Sequence, residues 1–423
     1  MYATEVRPGL RREDRPAALP PGPDRIDVAH GPRFMFYSHD AVGFGHVRRN
    51  LAIAQALTRA QPGASVLVAT SVDQAGELGL GPNVDLLQLP GLRKVAGDRY
   101  EARRLPICPD DIRRLRSDLL LSAVRAFAPA VLLADRHPLG IGAELRPALE
   151  ALADTGARAV LGLRDIVDDP AVVRAEFQAR GFYKAIDAYY DEVFVYGQKE
   201  ILDPRLAYGL AGDGDCSLTF CGYVVAPQPS VPRTDQRDRP VVVATVGGGE
   251  DGSAMLEAFI AASIGAPWRA IVVAGPQAES TARQHLERLA GEAGVEFRAF
   301  VPLLGSLLGS IDALVSMGGY NTLAEALSSG TPTVCVPRTH PRQEQAIRAR
   351  TFAALGLIEV VEPERLTAGR IRDAVLRALA RSREQTARDA GRVLSFDGAE
   401  RASHRLLALA AAGDVRIPSR AAR

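Results

Sequence analysis

The chain has 423 residues, 47% of them hydrophobic and 24% charged, enough to bury two cores and ordinary for a globular protein. Lys plus Arg number 51 against 50 Asp plus Glu, so the net charge argues neither for nor against a nucleic-acid partner, and any electrostatic partner must be recruited by a local patch; no nucleic acid is expected, because no aromatic interleaving of a basic stretch supports it. No run reaches the apolar length of a membrane span, no secretory apolar segment opens the chain, and Cys108, Cys216, Cys221 and Cys335 lack metal-ligand or paired spacing. Reduced thiols and a cytoplasmic setting are the expectation, with Cys335 as a small buried apolar residue.

Residues 1–31 carry five prolines and little apolar periodicity, which reads as a disordered leader. Phe34 to Ser38 is a short strand-like run. The loop that follows contains Gly43, Phe44, Gly45 and His46, and beyond it Val47, Leu51, Ala54 and Leu57 recur at helical spacing. Apolar runs at 65–69, 84–89, 130–134, 158–163, 193–196 and 218–225 alternate with helix-compatible stretches, the pattern of parallel strands buried on both faces and joined by crossover helices. This gives a first Rossmann-like domain over 32–225. Residues 226–240, with four prolines and mixed charges, suit a linker.

The alternation restarts at Val241–Val246, which ends in Gly247, Gly248 and Gly249. Further strands are expected at 271–275, 295–301, 313–316, 333–336 and 358–361, giving a second domain over 241–398. Two doubly wound α/β domains facing a cleft are the economical solution. The tail from 382 to 412 lacks proline and is rich in Ala, Leu and Arg, so it should be helical, with a break around 395–398.

The most informative stretch runs from Val315 to Gln345. A buried run ends at Val315 and Ser316, Met317 follows as a donor-side candidate, Gly318 and Gly319 allow a tight turn, and Asn321 or Thr322 can cap the helix that Leu323 to Leu327 begins. Strand, glycine turn and helix start leave backbone N–H groups and the positive end of a helix dipole facing one point, a seat for a phosphate. Glu325 lies one turn in, and Arg338, Gln343, Glu344 and Gln345 follow Pro337 on the same expected edge.

Gly-Gly-Tyr-Asn-Thr-Leu-Ala-Glu-Ala-Leu, Gly-Thr-Pro, Val-Pro and Gln-Glu-Gln, in that order, resemble the donor half of GT-B glycosyltransferases, similar to those of glycosyltransferase family 28 that form lipid II. The resemblance implies Gly318, Gly319, Asn321 and Thr322 at the diphosphate of a nucleotide sugar, Glu325 at the ribose, and Gln343, Glu344 and Gln345 at the sugar. It also implies the donor's base against backbone at Phe300 and Val301, a glycine loop at Gly247–Gly249 touching the donor, and a last helix, about 399–412, crossing back to the first domain. Taken alone, the Gly247–Gly249 loop is equally a plain turn, and its acids Glu250 and Asp251 suit a helix cap better than a diphosphate.

His46 stands where open α/β sheets hold ligands, and histidine suits the removal of an acceptor proton near neutral pH. It can equally cap the following helix or bond the diphosphate. Asp135, Arg136 and His137 end one strand-like run, and Arg164 and Asp165 end another on the acceptor side; Asp135 can orient His46 or a sugar hydroxyl, and Asp135 and Arg136 can equally pair with neighbours on a loop. Between Arg93 and Arg116 stand eight Arg or Lys and four acids, which suit an anionic acceptor or a membrane surface, or simply a solvated face. The expectation is an inverting glycosyltransferase acting on a nucleotide-diphosphate sugar, a UDP-sugar by resemblance, and an unidentified acceptor. No cofactor is expected, and no metal either, since helix-start N–H groups can carry the leaving charge and no Asp-x-Asp motif ends a strand. A nucleotide-sugar hydrolase or epimerase, or a non-catalytic sugar-nucleotide sensor, are the alternatives on the same fold.

Overall fold

The structure, a computed structural model, describes residues 31–39, 44–96, 99–210, 216–226, 238–249, 251–301 and 304–412. The expected leader, Gly43, Glu250 and most of the 226–240 linker lie outside them.

The first lobe is a seven-stranded sheet built from β1 (Arg33–Tyr37), β2 (Ser65–Thr70), β3 (Val84–Gln88), β6 (Val131–Asp135), β7 (Arg158–Arg164), β8 (Glu192–Tyr196) and β9 (Ser217–Phe220). Its order is β3-β2-β1-β6-β7-β8-β9 and every pairing is parallel. Strands such as Val131-Leu-Leu-Ala-Asp135 are buried along their whole length, because crossover helices cover both faces. A two-stranded antiparallel ribbon, β4 (Leu92–Ala96) and β5 (Arg99–Ala102), sits beside this sheet and packs on the Pro109–Phe127 helix. Arg116 on that helix is not solvated, unlike its neighbours in the basic stretch: it is 1% exposed and forks onto Glu144 at 2.6 and 2.7 Å.

The second lobe is a six-stranded parallel sheet of β10 (Val241–Thr245), β11 (Arg269–Val273), β12 (Glu296–Arg298), β13 (Ala313–Ser316), β14 (Thr333–Cys335) and β15 (Glu359–Val360), ordered β12-β11-β10-β13-β14-β15. Both sheets therefore reverse strand order once, between β1 and β6 in one and between β10 and β13 in the other. A crevice opens at such a reversal, outside the carboxyl ends of the strands. Register fixes what stands there: Tyr37 pairs with Ala134, bringing Ser38 beside Asp135, and Thr245 pairs with Ser316.

The tail folds as two helices, Arg383–Val393 and Gly398–Ala412, broken between them. The second packs along the Gly45–Ala60 helix of the first lobe, where Arg405 bonds Glu192 at 2.8 Å. Gly398 sits under this crossing, since a Cβ there would lie 2.6 Å from the Gly222 carbonyl oxygen. One apolar cluster runs through the junction, from Phe34 and Leu51 to Tyr320, Phe352 and Leu406, so the two lobes share a core at this end.

Candidate active site

A cavity of about 570 Å³ lies between the two strand-order reversals. One wall is first-lobe: Phe44, Gly45, His46, Arg48, Arg49 and Arg164. The other is second-lobe: Gly247, Gly248, Phe300, Val301, Met317, Gly319, Asn321, Thr322 and Gln345.

The second-lobe wall is a helix start. The Tyr320–Ser328 helix begins directly after β13, and its first N–H groups have no intrahelical acceptor. Gly318 takes φ +84°, and a Cβ there would stand 2.7 Å from the Cys335 sulfur, so only glycine lets the chain turn while β14 stays packed against it. Gly249 takes φ +90° and lies against the Ala274 carbonyl, holding the turn after β10 closed while Gly247 and Gly248 face the cavity.

On the first-lobe wall His46 is at the second position of the Gly45–Ala60 helix, its side chain 12% exposed. Its Nδ1 lies 2.6 Å from Oδ2 of Asp135, which is fully buried at the end of β6. Arg49, three residues on and hence on the same helix face, bonds both Asp135 oxygens at 2.7 Å. The Arg49 guanidinium lies over the Tyr196 and Tyr320 rings, 4.9 and 5.5 Å from their centroids. A carboxylate accepts only, so the Nδ1 of His46 carries the proton that bonds Asp135, and the lone pair is on Nε2. Burial pushes the pKa of His46 down to about 4 against the raising effect of Asp135. Burial alone would raise Asp135, but Arg49 and His46 outweigh it and hold the carboxyl well below its usual range. The unit is a neutral imidazole backed by a permanent carboxylate, the arrangement of a general base.

Several expected site residues stand behind the walls. Glu325 is 4% exposed and its Oε1 meets Arg48 of the first lobe at 2.5 Å, while its Oε2 is buried without a partner. Asp165 is wholly buried against Arg348, at 2.7 and 2.8 Å, and accepts a third bond from Tyr223. Arg348 also donates to the Gly318 carbonyl at 3.2 Å, tying the glycine turn to the first lobe. Arg338 pairs with Glu344 and Asp251, and Gln343 donates its backbone N–H to Asp168. Asn321 both faces the cavity and donates to the Gly45 carbonyl at 3.1 Å. Arg164 lines the cavity, and among the described residues its guanidinium has no ion-pair partner.

Arg49, Arg348 and the two tyrosines were not legible beforehand as site residues. For Arg49 a signal exists: three residues after a candidate base, it must share that base's helix face. Among the described residues no His/Cys/Asp/Glu group suits a metal ion, and no helix is long and apolar enough to cross a membrane.

Comparison with known proteins agrees with this fold. Residues 258–403 match the glycosyltransferase family 28 C-terminal domain. The chain is 27% identical, over 254 residues, to the UDP-N-acetylglucosamine–N-acetylmuramyl-(pentapeptide) pyrophosphoryl-undecaprenol N-acetylglucosamine transferase of Corynebacterium efficiens, a match covering 55% of this chain and 66% of that protein. The corresponding transferase of Corynebacterium glutamicum is 24% identical over 254 residues, covering 56% of this chain and 68% of that one. Among solved structures, the calicheamicin glycosyltransferase CalG4 aligns with a TM-score of 0.59 at 20% identity, covering 89% of this chain and 98% of that one. Acinetobacter baumannii MurG aligns with a TM-score of 0.54 at 15% identity, covering 90% and 100%. Residues 258–403 are thus similar to a glycosyltransferase family 28 C-terminal domain, within a chain that has the two-lobed fold of the GT-B glycosyltransferases.

Proposed function

We propose that this protein is an inverting glycosyltransferase that moves a sugar from a UDP-sugar to an acceptor hydroxyl. One observation carries the reading: a base-competent His46 on one wall of a single cavity, and a glycine-turn helix start on the other. The diphosphate sits on the first-turn N–H groups of the Tyr320–Ser328 helix and the Gly247–Gly248 turn, where the helix dipole and fixed amides stabilise the charge that grows on the leaving group. The nucleobase lies along Phe300 and Val301, where the backbone N–H and C=O of one residue are enough for a uracil edge. Gln345 turns to the sugar, and displacement of the cavity-lining Arg48 side chain by the donor brings the buried, unpartnered Oε2 of Glu325 to the ribose.

His46 Nε2 takes the proton as the acceptor oxygen attacks the anomeric carbon from the face opposite the diphosphate, which inverts the centre. Asp135 positions the ring and stabilises the imidazolium; Arg49 keeps Asp135 ionised. Arg164 adds a positive charge to the same cavity, balanced in part by Glu344 and Asp165 behind the wall.

The relatives' names give UDP-N-acetylglucosamine as donor and a pyrophosphoryl-undecaprenol-linked sugar as acceptor, and these are the first substrates to try. UDP released only when both are present supports transfer. Free sugar released from donor alone favours the hydrolase, and an altered sugar nucleotide the epimerase.

Peripheral contact with the inner membrane face extends the reading. Val95, Leu105, Ile107 and Leu115 are each at least 39% exposed, and Arg93 and Arg104 stand among them. Co-sedimentation with anionic but not neutral vesicles is the expected result; equal partition with both, or with neither, contradicts it.

A further inference from the structure

A second charged group lies beyond His46, outside the cavity. The rings of His46 and His39 are 5.9 Å apart, and those of His39 and His137 4.1 Å apart, so three histidines lead from the cavity wall to the residue after Arg136. Arg136 follows Asp135 at the carboxyl end of β6 and takes φ +70°, a left-handed conformation that costs a non-glycine residue free energy and is held by its surroundings. Its Nε is buried without a hydrogen-bond partner.

Arg342 comes to this place from the other lobe. The next residue, Gln343, donates its backbone N–H to Asp168 of the first lobe at 2.7 Å, and Arg342 Nη1 is likewise buried without a partner. Among the described residues neither guanidinium has an ion-pair partner. One acid stands in their neighbourhood, Glu176, 3.6 Å from His137 and 3.7 Å from Arg180, its Oε1 buried without a hydrogen bond, so one carboxylate faces Arg136, Arg342 and Arg180 together. Arg136 feels the imbalance: burial, then Arg342 and Arg164, push its pKa down to about 9. Burial and Arg342 also lower Lys94 and Arg180. Unpaired guanidinia contributed by two lobes repel each other, which costs stability in the ligand-free chain unless an anion lies between them.

We propose that Arg136 and Arg342 form an oxyanion site for the acceptor, one guanidinium from each lobe, filled by a phosphate ester group. A phosphate fits better than a carboxylate because its tetrahedral oxygens can serve two planar forks at once, whereas one carboxylate saturates a single fork. The site rests on the transferase reading for the word acceptor: it lies beyond His46, outside the cavity that the helix start lines. An acceptor phosphate bound there holds the lobes together while His46 acts.

The test is calorimetric titration of inorganic phosphate into the full chain saturated with uridine diphosphate, for wild type and for the double variant Arg136→Gln/Arg342→Gln. The proposal expects phosphate to bind wild type and to bind the double variant about tenfold to hundredfold more weakly, the loss of charge-assisted hydrogen bonds, with uridine diphosphate affinity unchanged. Equal phosphate affinity in both proteins, or none in wild type, overturns it. A variant that loses uridine diphosphate affinity instead assigns the pair to the donor and also overturns it. A wild type that ignores uridine diphosphate contradicts the transferase reading alone, and phosphate titrated without nucleotide then tests the site by the same comparison. Should the double variant misfold, Arg342→Gln, at a half-buried position, reads the same loss; removal of like-charge repulsion should leave its melting temperature unchanged or higher.

Discussion

Asp135 Oδ2 lies 2.6 Å from His46 Nδ1, and this one contact decides which ring nitrogen is free to take a proton. With Nδ1–H committed to the carboxylate, Nε2 is the basic atom, and the account makes it the acceptor's base. His46→Ala should therefore lower kcat about 10²–10⁴-fold, the usual contribution of a positioned base, and leave uridine diphosphate affinity within about twofold. Steady-state kinetics with parallel calorimetry separates the roles. A joint fall in rate and affinity makes His46 a donor anchor instead, and full activity removes it from the site.

The pH profile follows from the same environment. Burial puts the pKa of His46 near 4, against an ordinary 6.5, so kcat/KM should hold as pH falls through 6.5 and drop only near pH 4. Stability moves differently. The folded pKa lies below the unfolded one, so the unfolded chain binds more protons between pH 6.5 and 4, and stability is lost as pH falls through that window. His46 alone contributes about 1.4 kcal/mol per pH unit there, and His39 and His137, also lowered by burial, add in the same direction. Chemical denaturation at pH 7 and pH 5 measures this. An acid limb of kcat/KM centred at 6.5 would show His46 solvated in the working enzyme.

Glu325 has one oxygen on Arg48 and one without a partner. Glu325→Gln keeps the shape and removes the charge, so it should weaken UDP-sugar binding by about 1–3 kcal/mol while the chain still folds. Unchanged affinity for every nucleotide sugar tested would show that Glu325 serves only the contact with Arg48.

Arg348 and Asp165 are both fully buried and paired across the lobes. Removing one partner strands the other, so Asp165→Ala should cost about 3–5 kcal/mol in urea denaturation. It should also weaken nucleotide binding, because Arg348 holds the Gly318 carbonyl of the turn before the helix start. A stability loss below about 1 kcal/mol would mean that water or a neighbour replaces the lost partner.

Much of the fold was legible because its strands are continuous β-branched runs, such as Val241 to Thr245, that read as doubly covered parallel strands wherever they occur. The ribbon of β4 and β5 was not, since Leu-Arg-Lys-Val-Ala and Arg-Tyr-Glu-Ala are polar, short and only partly buried, with no period that stands out from a basic loop. At the site, the glycine turn and helix start announce themselves locally, each needing only residues within a few positions. The Arg348–Asp165 pair joins residues 183 apart and Arg48–Glu325 joins residues 277 apart, so no local pattern betrays them. The pairing of Arg136 with Arg342 is hidden for the same reason.

A crystal structure with bound uridine diphosphate tests the central claim most directly. The account predicts the diphosphate on the first-turn N–H groups of the Tyr320–Ser328 helix, the uracil against Phe300 and Val301, and the terminal phosphate oriented toward the side of the cavity that holds His46. Nucleotide bound elsewhere, or turned so that its base lies against His46, would contradict it.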